Sequence, residues 1–171
     1  IRRGDFVSIT GPSGSGKSTL LNLAGCLDLP TGGDVLVEGR VTKFLDDTRL
    51  TLLRRRAIGF VFQFFNLIPT LDAVENVSLP GLLNNQPGNH VRERAEELLR
   101  RLGLGGRLDH YPDELSGGAM QRVAVARALV TSPSILLADE PTGNLDSAAG
   151  TEVLHILKDL SREHAVVVVT H

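Results

Sequence analysis

The stretch GPSGSGKST, Gly11 to Thr19, narrows what this chain can fold into more than any other. It fits G-x-x-x-x-G-K-[ST]. Phe6 to Thr10 before it is a short apolar run that reads as a buried strand, and KSTLLNLAG after it reads as a helix. Gly14 and Gly16 let the backbone turn its N–H groups inward, which makes an anion nest at a helix N-terminus. Gly11, Pro12, Ser13, Ser15 and Thr19 complete that loop. Lys17 is predicted to reach β- and γ-phosphates, and Ser18 to ligate Mg²⁺. A ligand-free Gly/Ser turn is the bland alternative, and the strand–loop–helix context speaks against it.

The remaining elements follow from periodicity. Ala57–Phe62, Ser134–Ala138 and Ala165–Val169 read as further buried strands; apolar all round and alternating with helices, they argue an α/β fold with a mostly parallel sheet covered on both faces. Paired glycines and β-branched residues in TGGDVLVEGRVT, Thr31 to Thr42, predict a small antiparallel hairpin. Helices are expected over 46–56, 90–102, 120–130 and 147–162, the third preceded by Ser116 as N-cap. From Asn66 to about Leu115, prolines punctuate short helical segments with no strand signal. This predicts a helical insert, 66–118, within a core made of 1–65 and 119–171.

ILLADEPTGNLD, Ile135 to Asp146, brings an apolar strand straight into two adjacent carboxylates. Side by side they repel, and at the carboxyl end of a parallel strand they face the place where ligands bind. Asp139 is predicted to hold Mg²⁺ through water, and Glu140 to orient or deprotonate an attacking water. The alternative, a pair of solvated loop acids, fits the apolar lead-in poorly. LSGGAMQR, Leu115 to Arg122, is on its face a capped helix start. Its exposed N–H groups are also an anion site, far along the chain from the first, which suits closure over a nucleotide held by another subunit.

With these motifs in order, the chain resembles the nucleotide-binding domain of ABC (ATP-binding cassette) proteins over essentially its whole length. GFVFQFFNLIPTLDAVENVSLP and LADEPTGNLDS are similar to the ATPases of lipoprotein-release and macrolide-export systems. The resemblance implies a P-loop NTPase (RecA-like) core and an ATPase using ATP and Mg²⁺. Gln63 becomes the Q-loop glutamine, sensing Mg²⁺ or water; Leu115–Gln121 the signature; Asn144–Asp146 the D-loop. It implies that Ser116, Gly117 and Gly118, with Gln121, meet the nucleotide of a second cassette. Asp146 would cross the dimer interface, and His171 would touch the γ-phosphate and hold the water of Glu140. A homodimer or paired cassette is implied. So is a membrane permease, contacted near Gln63–Leu67 and the insert, which puts the chain on the cytoplasmic face of a membrane. Ala119 stands where the family most often has Gln or Glu. The family also carries an adenine-stacking aromatic upstream of Ile1, so the chain reads as an internal piece of a longer one.

Other features are expected to be structural. Cys26 reads as core. His90, His110, His155 and His164 lack metal-ligand spacing. Arg54–Arg56 reads as a solvated helix end, and Tyr111 as a packing residue. A net charge of −2 gives no footing for nucleic acid. The leading function is therefore an ATPase that drives a permease of export or lipoprotein-release type. The alternative is an ATP-driven signalling module of a non-transporting complex that controls cell-wall hydrolases. A DNA or ribosome ATPase is disfavoured by the compact interval from Gln63 to Ser116 and the lack of a basic surface.

Overall fold

Alternation along the strands decides where the helices go. The computed structural model describes residues 1–170, so His171 lies outside the described residues. In chain order the elements are β1 (Phe6–Thr10), α1 (Lys17–Ala24), β2 (Leu36–Val37), β3 (Arg40–Val41), α2 (Asp47–Ala57), β4 (Ile58–Val61), α3 (Ala73–Leu83), α4 (Gly88–Arg101), α5 (Gly117–Leu129), β5 (Ile135–Asp139), α6 (Ser147–Leu160) and β6 (Ala165–Thr170). Strands β1, β6, β5 and β4, in that spatial order, form one parallel sheet.

Leu136 and Ala138 of β5, with Val166 and Val168 of β6, point to one face; there they meet α3, α4, α5 and α6 through Val77, Leu99, Val123 and Leu157. Leu137, Val167 and Val169 point to the other and pack with Leu21 of α1 and Leu50 and Leu53 of α2. Each fully buried leucine contributes about 1.5–3 kcal/mol relative to exposure, so both layers are firmly attached. The expected α/β class and two-sided cover hold.

Because the strands are parallel, their carboxyl ends share one edge of the sheet. Thr10 pairs with Thr170, and Asp139 with Val169. The chain thus leaves β1 into the glycine loop and leaves β5 into Asp139–Glu140 on either side of the end of β6. At β4 the helix layer comes unusually close: a Cβ on Gly59 would stand 2.4 Å from the Ala128 carbonyl oxygen.

Several expectations shift. The hairpin is real but only two residues per strand, turning at Glu38 (φ 50°) and Gly39 (φ 74°), the left-handed pair that suits a tight hairpin. Helix α3 runs through Pro80, giving up the bond its missing N–H would make. Burial of Val74 and Val77, and a capping box between Asp72 and Glu75, offset that loss. Helix α5 begins at Gly117, three residues earlier than expected, because Ser116 caps it there, and it runs straight through the expected 118/119 boundary. Tyr111 is exposed rather than packed. Arg54 is not a solvated end: it donates to the carbonyl of Cys26 at 2.6 Å. Cys26 is buried as expected, and burial raises its thiol pKa.

Candidate nucleotide site

The glycine loop is shaped by two left-handed residues, Gly14 (φ 78°) and Gly16 (φ 88°), the second serving as the N-cap of α1. Neither conformation suits a residue with a Cβ. Lys17, only 8% exposed, folds its ammonium into the loop and donates to the carbonyls of Gly11 at 2.7 Å and Pro12 at 3.0 Å. At the next residue, the second of α1, Ser18 Oγ donates to Asp139 Oδ1 at 3.1 Å, joining α1 to the end of β5.

This Ser–Asp pair is where a metal would fit. Both donors are hard oxygens, which suits Mg²⁺, an ion that takes one or two protein ligands and completes its shell with phosphate and water. No group of three His, Cys, Asp or Glu side chains able to hold a metal occurs among the described residues, so the donor set matches a shared ion rather than an all-protein cage.

Glu140 follows with φ 45°, a left-handed conformation that costs a non-glycine residue about 1–3 kcal/mol and clusters at functional sites. Two backbone bonds impose it: its N–H donates to Val169 at 2.9 Å, and its carbonyl accepts from Gly143 at 3.0 Å. The outcome is a small open pocket of about 220 Å³ lined by Ser13, Gly14, Gly16, Lys17, Ser18, Thr19 and Glu140. Loop and carboxylate, distant in sequence, share one cleft.

Gln63, Ser116, Gly117, Gly118 and Asp146 do not line that pocket. Gln63 leans on the turn after Glu140, where a Cβ on Gly143 would lie 2.6 Å from its Nε2 and Asn144 Nδ2 donates to its carbonyl at 3.0 Å. Ser116 caps α5, accepting from Ala119 N at 3.3 Å, and its own side is exposed. Gly117 and Gly118 permit close packing: Cβ atoms there would meet Leu145 Cδ2 at 3.3 Å and Ala149 Cβ at 3.0 Å. Ala119 is buried. Asp146 is exposed and caps α6 through Ala149 N at 2.9 Å.

Gln121 corrects the expectation of a nucleotide contact. Its side chain is wholly buried, and its Nε2 donates to the carbonyls of Phe62 at 3.2 Å and Pro141 at 2.7 Å, so the amide is turned into the protein. The sequence did carry a signal: Gln121, Val125 and Ala128 recur at helical spacing on one face, which places Gln121 in line with core residues. Arg127 was missed altogether. It donates to Phe65 O at 2.7 Å and to Asn66 O, gripping the loop after Gln63, and burial lowers its pKa. An arginine inside VAVARAL was the available clue.

A parallel sheet with a glycine loop between its first strand and helix, and a Ser–Asp pair across its carboxyl edge, defines a P-loop nucleotide-binding α/β domain. The family model described as ABC transporter matches residues 1–143, and the chain belongs to that family. The lipoprotein-releasing system ATP-binding protein LolD of Maricaulis maris is 53% identical over 170 residues, covering 98% of this chain and 74% of that protein. The macrolide export ATP-binding/permease protein MacB of Brucella melitensis is 53% identical over 172 residues, all of this chain but only 27% of that protein, so the chain spans about a quarter of that relative. A dimeric ATP-binding cassette solved in a post-hydrolysis state with ADP and Pi is 52% identical, with a TM-score of 0.88 over the whole chain and 76% of that structure.

Proposed function

We propose that the chain binds MgATP at the glycine loop and hydrolyses it, as the ATPase part of an export or lipoprotein-release type transporter. The observation that carries this reading is the Ser18–Asp139 bond, with Ser18 and the strained Glu140 lining the same cleft as Lys17. Bound Mg²⁺ would supply positive charge for the β- and γ-phosphate oxygens, held by Ser18 and through water by Asp139, with Gln63 as a further ligand from the loop. Lys17 moves its ammonium from the loop carbonyls to the same oxygens. The loop N–H groups from Ser13 to Thr19 cradle the chain of phosphates. Glu140 orients the attacking water or takes its proton, and His171 holds the γ-phosphate side of that water.

Ser116–Gly118 and Asp146 act in trans, on the nucleotide of a second copy or a paired cassette. Support comes from the exposure of Ser116 and Asp146. The segment Gln63–Leu67 and the insert 66–118 meet a membrane permease, with Phe64, 70% exposed, as part of that contact. Attachment at the cytoplasmic face runs through the permease; no described helix is long and apolar enough to cross a membrane. No nucleic-acid role is proposed.

The test is the mass of Glu140→Gln in solution. It should double when MgATP is added and stay doubled, since nucleotide is held but not consumed. A folded monomer that binds MgATP without pairing would overturn the trans arrangement.

A further inference from the structure

One side chain lies between two residues that the proposed mechanism needs to keep in register. Phe62 immediately precedes Gln63, and Pro141 immediately follows Glu140. The carbonyls of both accept from the same atom, Gln121 Nε2, at 3.2 Å and 2.7 Å. A carboxamide nitrogen has two hydrogens, so one goes to each. The reverse amide orientation would press an oxygen against two carbonyl oxygens, which fixes this one. Gln121 belongs to α5, the helix whose start carries Ser116–Gly118. A second tie runs parallel to the first: Asn144 Nδ2 donates to the Gln63 carbonyl at 3.0 Å, and the Glu140 carbonyl accepts from Gly143 N at 3.0 Å. Gly143 has no Cβ, which leaves the space that Gln63 Nε2 fills.

We infer that Gln121, with Asn144 as its outer counterpart, is a positioning residue that sets Gln63 and Glu140 at a fixed separation and links that separation to the signature helix. The inference rests on the reading of Gln63 and Glu140 as hydrolytic residues. Its physical basis is economy of motion. β4 and β5 are adjacent and paired as far as Val61–Ala138, but beyond that pair the two chains leave the ladder. From there no ladder bond joins the two segments directly, although Asp139 and Glu140 stay bonded to Val169 of β6, and the Gln121 amide joins them. A shift of α5, such as a second nucleotide contacting Ser116–Gly118 would impose, therefore reaches both loop residues through one donor. Misplacement of a reacting group by about 1 Å can cost about a hundredfold in rate.

The test compares steady-state ATP hydrolysis by the full chain unsubstituted, as Gln121→Met and as Asn144→Ala, each normalised to the molecules that bind nucleotide. Gln121→Met keeps length and apolar bulk but donates to neither carbonyl. Asn144 is exposed, so its loss does not threaten folding even where Gln121→Met does. The expected result is kcat down about tenfold or more for Gln121→Met and severalfold for Asn144→Ala, with KM for ATP within about threefold. A purely structural role would lower the melting temperature and leave kcat per binding-competent molecule unchanged. Undiminished kcat in every folded variant, with an active unsubstituted protein, would overturn this inference alone. An unsubstituted protein that binds MgATP but never turns it over would overturn the hydrolysis reading and take this inference with it.

Discussion

Ser18 Oγ and Asp139 Oδ1 lie 3.1 Å apart although 121 positions separate them in the chain. The bond exists because β1 and β5 flank β6 in a parallel sheet, so the first residues of α1 and the last residue of β5 share one edge. Ser18 donates to one oxygen of Asp139, and the carboxylate has further lone pairs with which it can accept.

Asp139→Asn keeps an acceptor for Ser18 and so keeps the local fold, but it removes the negative charge. Affinity for ATP in the presence of Mg²⁺ should fall about tenfold to a hundredfold. Affinity in EDTA should hardly change. Titration calorimetry in both conditions checks this, and an equal loss in each would mean that the carboxylate serves the loop rather than the ion.

Lys17 is buried and bound to two loop carbonyls. Lys17→Met retains the aliphatic stem and removes the cation, so the fold should stand while the triphosphate loses its closest positive charge. Fluorescent ATP binding should weaken by about one to two orders of magnitude, in line with about 1.5–3 kcal/mol for charge-assisted bonds. The melting temperature should move by only a few degrees.

Gly59 tests the packing that brings α5 onto the sheet. A Cβ there would sit 2.4 Å from Ala128 O and 2.8 Å from Leu136 Cδ2, and the first of these is backbone that cannot step aside. Gly59→Ala should destabilise by about 1–3 kcal/mol in urea unfolding. Gly32→Ala, with open space around it, should stay within about 0.5 kcal/mol.

The nucleotide loop, the Asp139–Glu140 pair and the order of strands and helices were legible in the sequence because each depends on short-range pattern: glycine spacing, apolar runs and an N-cap serine. Less legible were features in which distant segments decide the outcome. Pro80 marks a break in isolation, yet burial of Val74 and Val77 carries α3 through it; the D-x-x-E of Asp72 and Glu75 was the local clue to that helix. Gln121 looks like a ligand-binding polar residue beside a glycine-rich motif until Phe62 and Pro141 come up behind it. Arg127 and Asn144 likewise acquire partners only through the tertiary fold.

Glu163 and Arg101 join the end of α4 to the turn before β6, with one contact at 2.6 Å and both side chains about half exposed. The Arg101 hydrogen bond and charge hold the Glu163 carboxyl below its ordinary value of 4.5. A carboxylate whose folded pKa is lowered stabilises fully above that ordinary value, and the contribution is lost as pH falls through the lower folded one. Glu163→Gln should therefore be less stable than the unsubstituted protein at pH 7 and indistinguishable from it in strong acid. The gap at pH 7 should also shrink in 1 M salt, where the screening length is about 3 Å. Denaturant midpoints measured across pH check the sign, and a gap that widens on acidification would contradict the pairing.

Arg127 holds two residues in a conformation they would not choose. Phe65 (φ 59°) and Asn66 (φ 52°) are both left-handed, which costs a residue such as Phe about 1–2 kcal/mol, and their carbonyls converge on one guanidinium. Burial opposes that cation and lowers its pKa, and the carbonyls receive its N–H groups in place of water. Arg127→Met gives up charge-assisted bonds but also ends the burial of a charge, and these opposing effects should leave global stability within about 1 kcal/mol. The loop itself should respond strongly. Amides from Phe64 to Leu67 should exchange with deuterium at least tenfold faster, while those of β5 and β6 stay protected. Arg127→Lys should fall between, because one ammonium lacks the planar fork that reaches both carbonyls. Unchanged exchange across 64–67 in Arg127→Met would show that the loop keeps its shape without the arginine, and that Gln121 and Asn144 suffice to hold it.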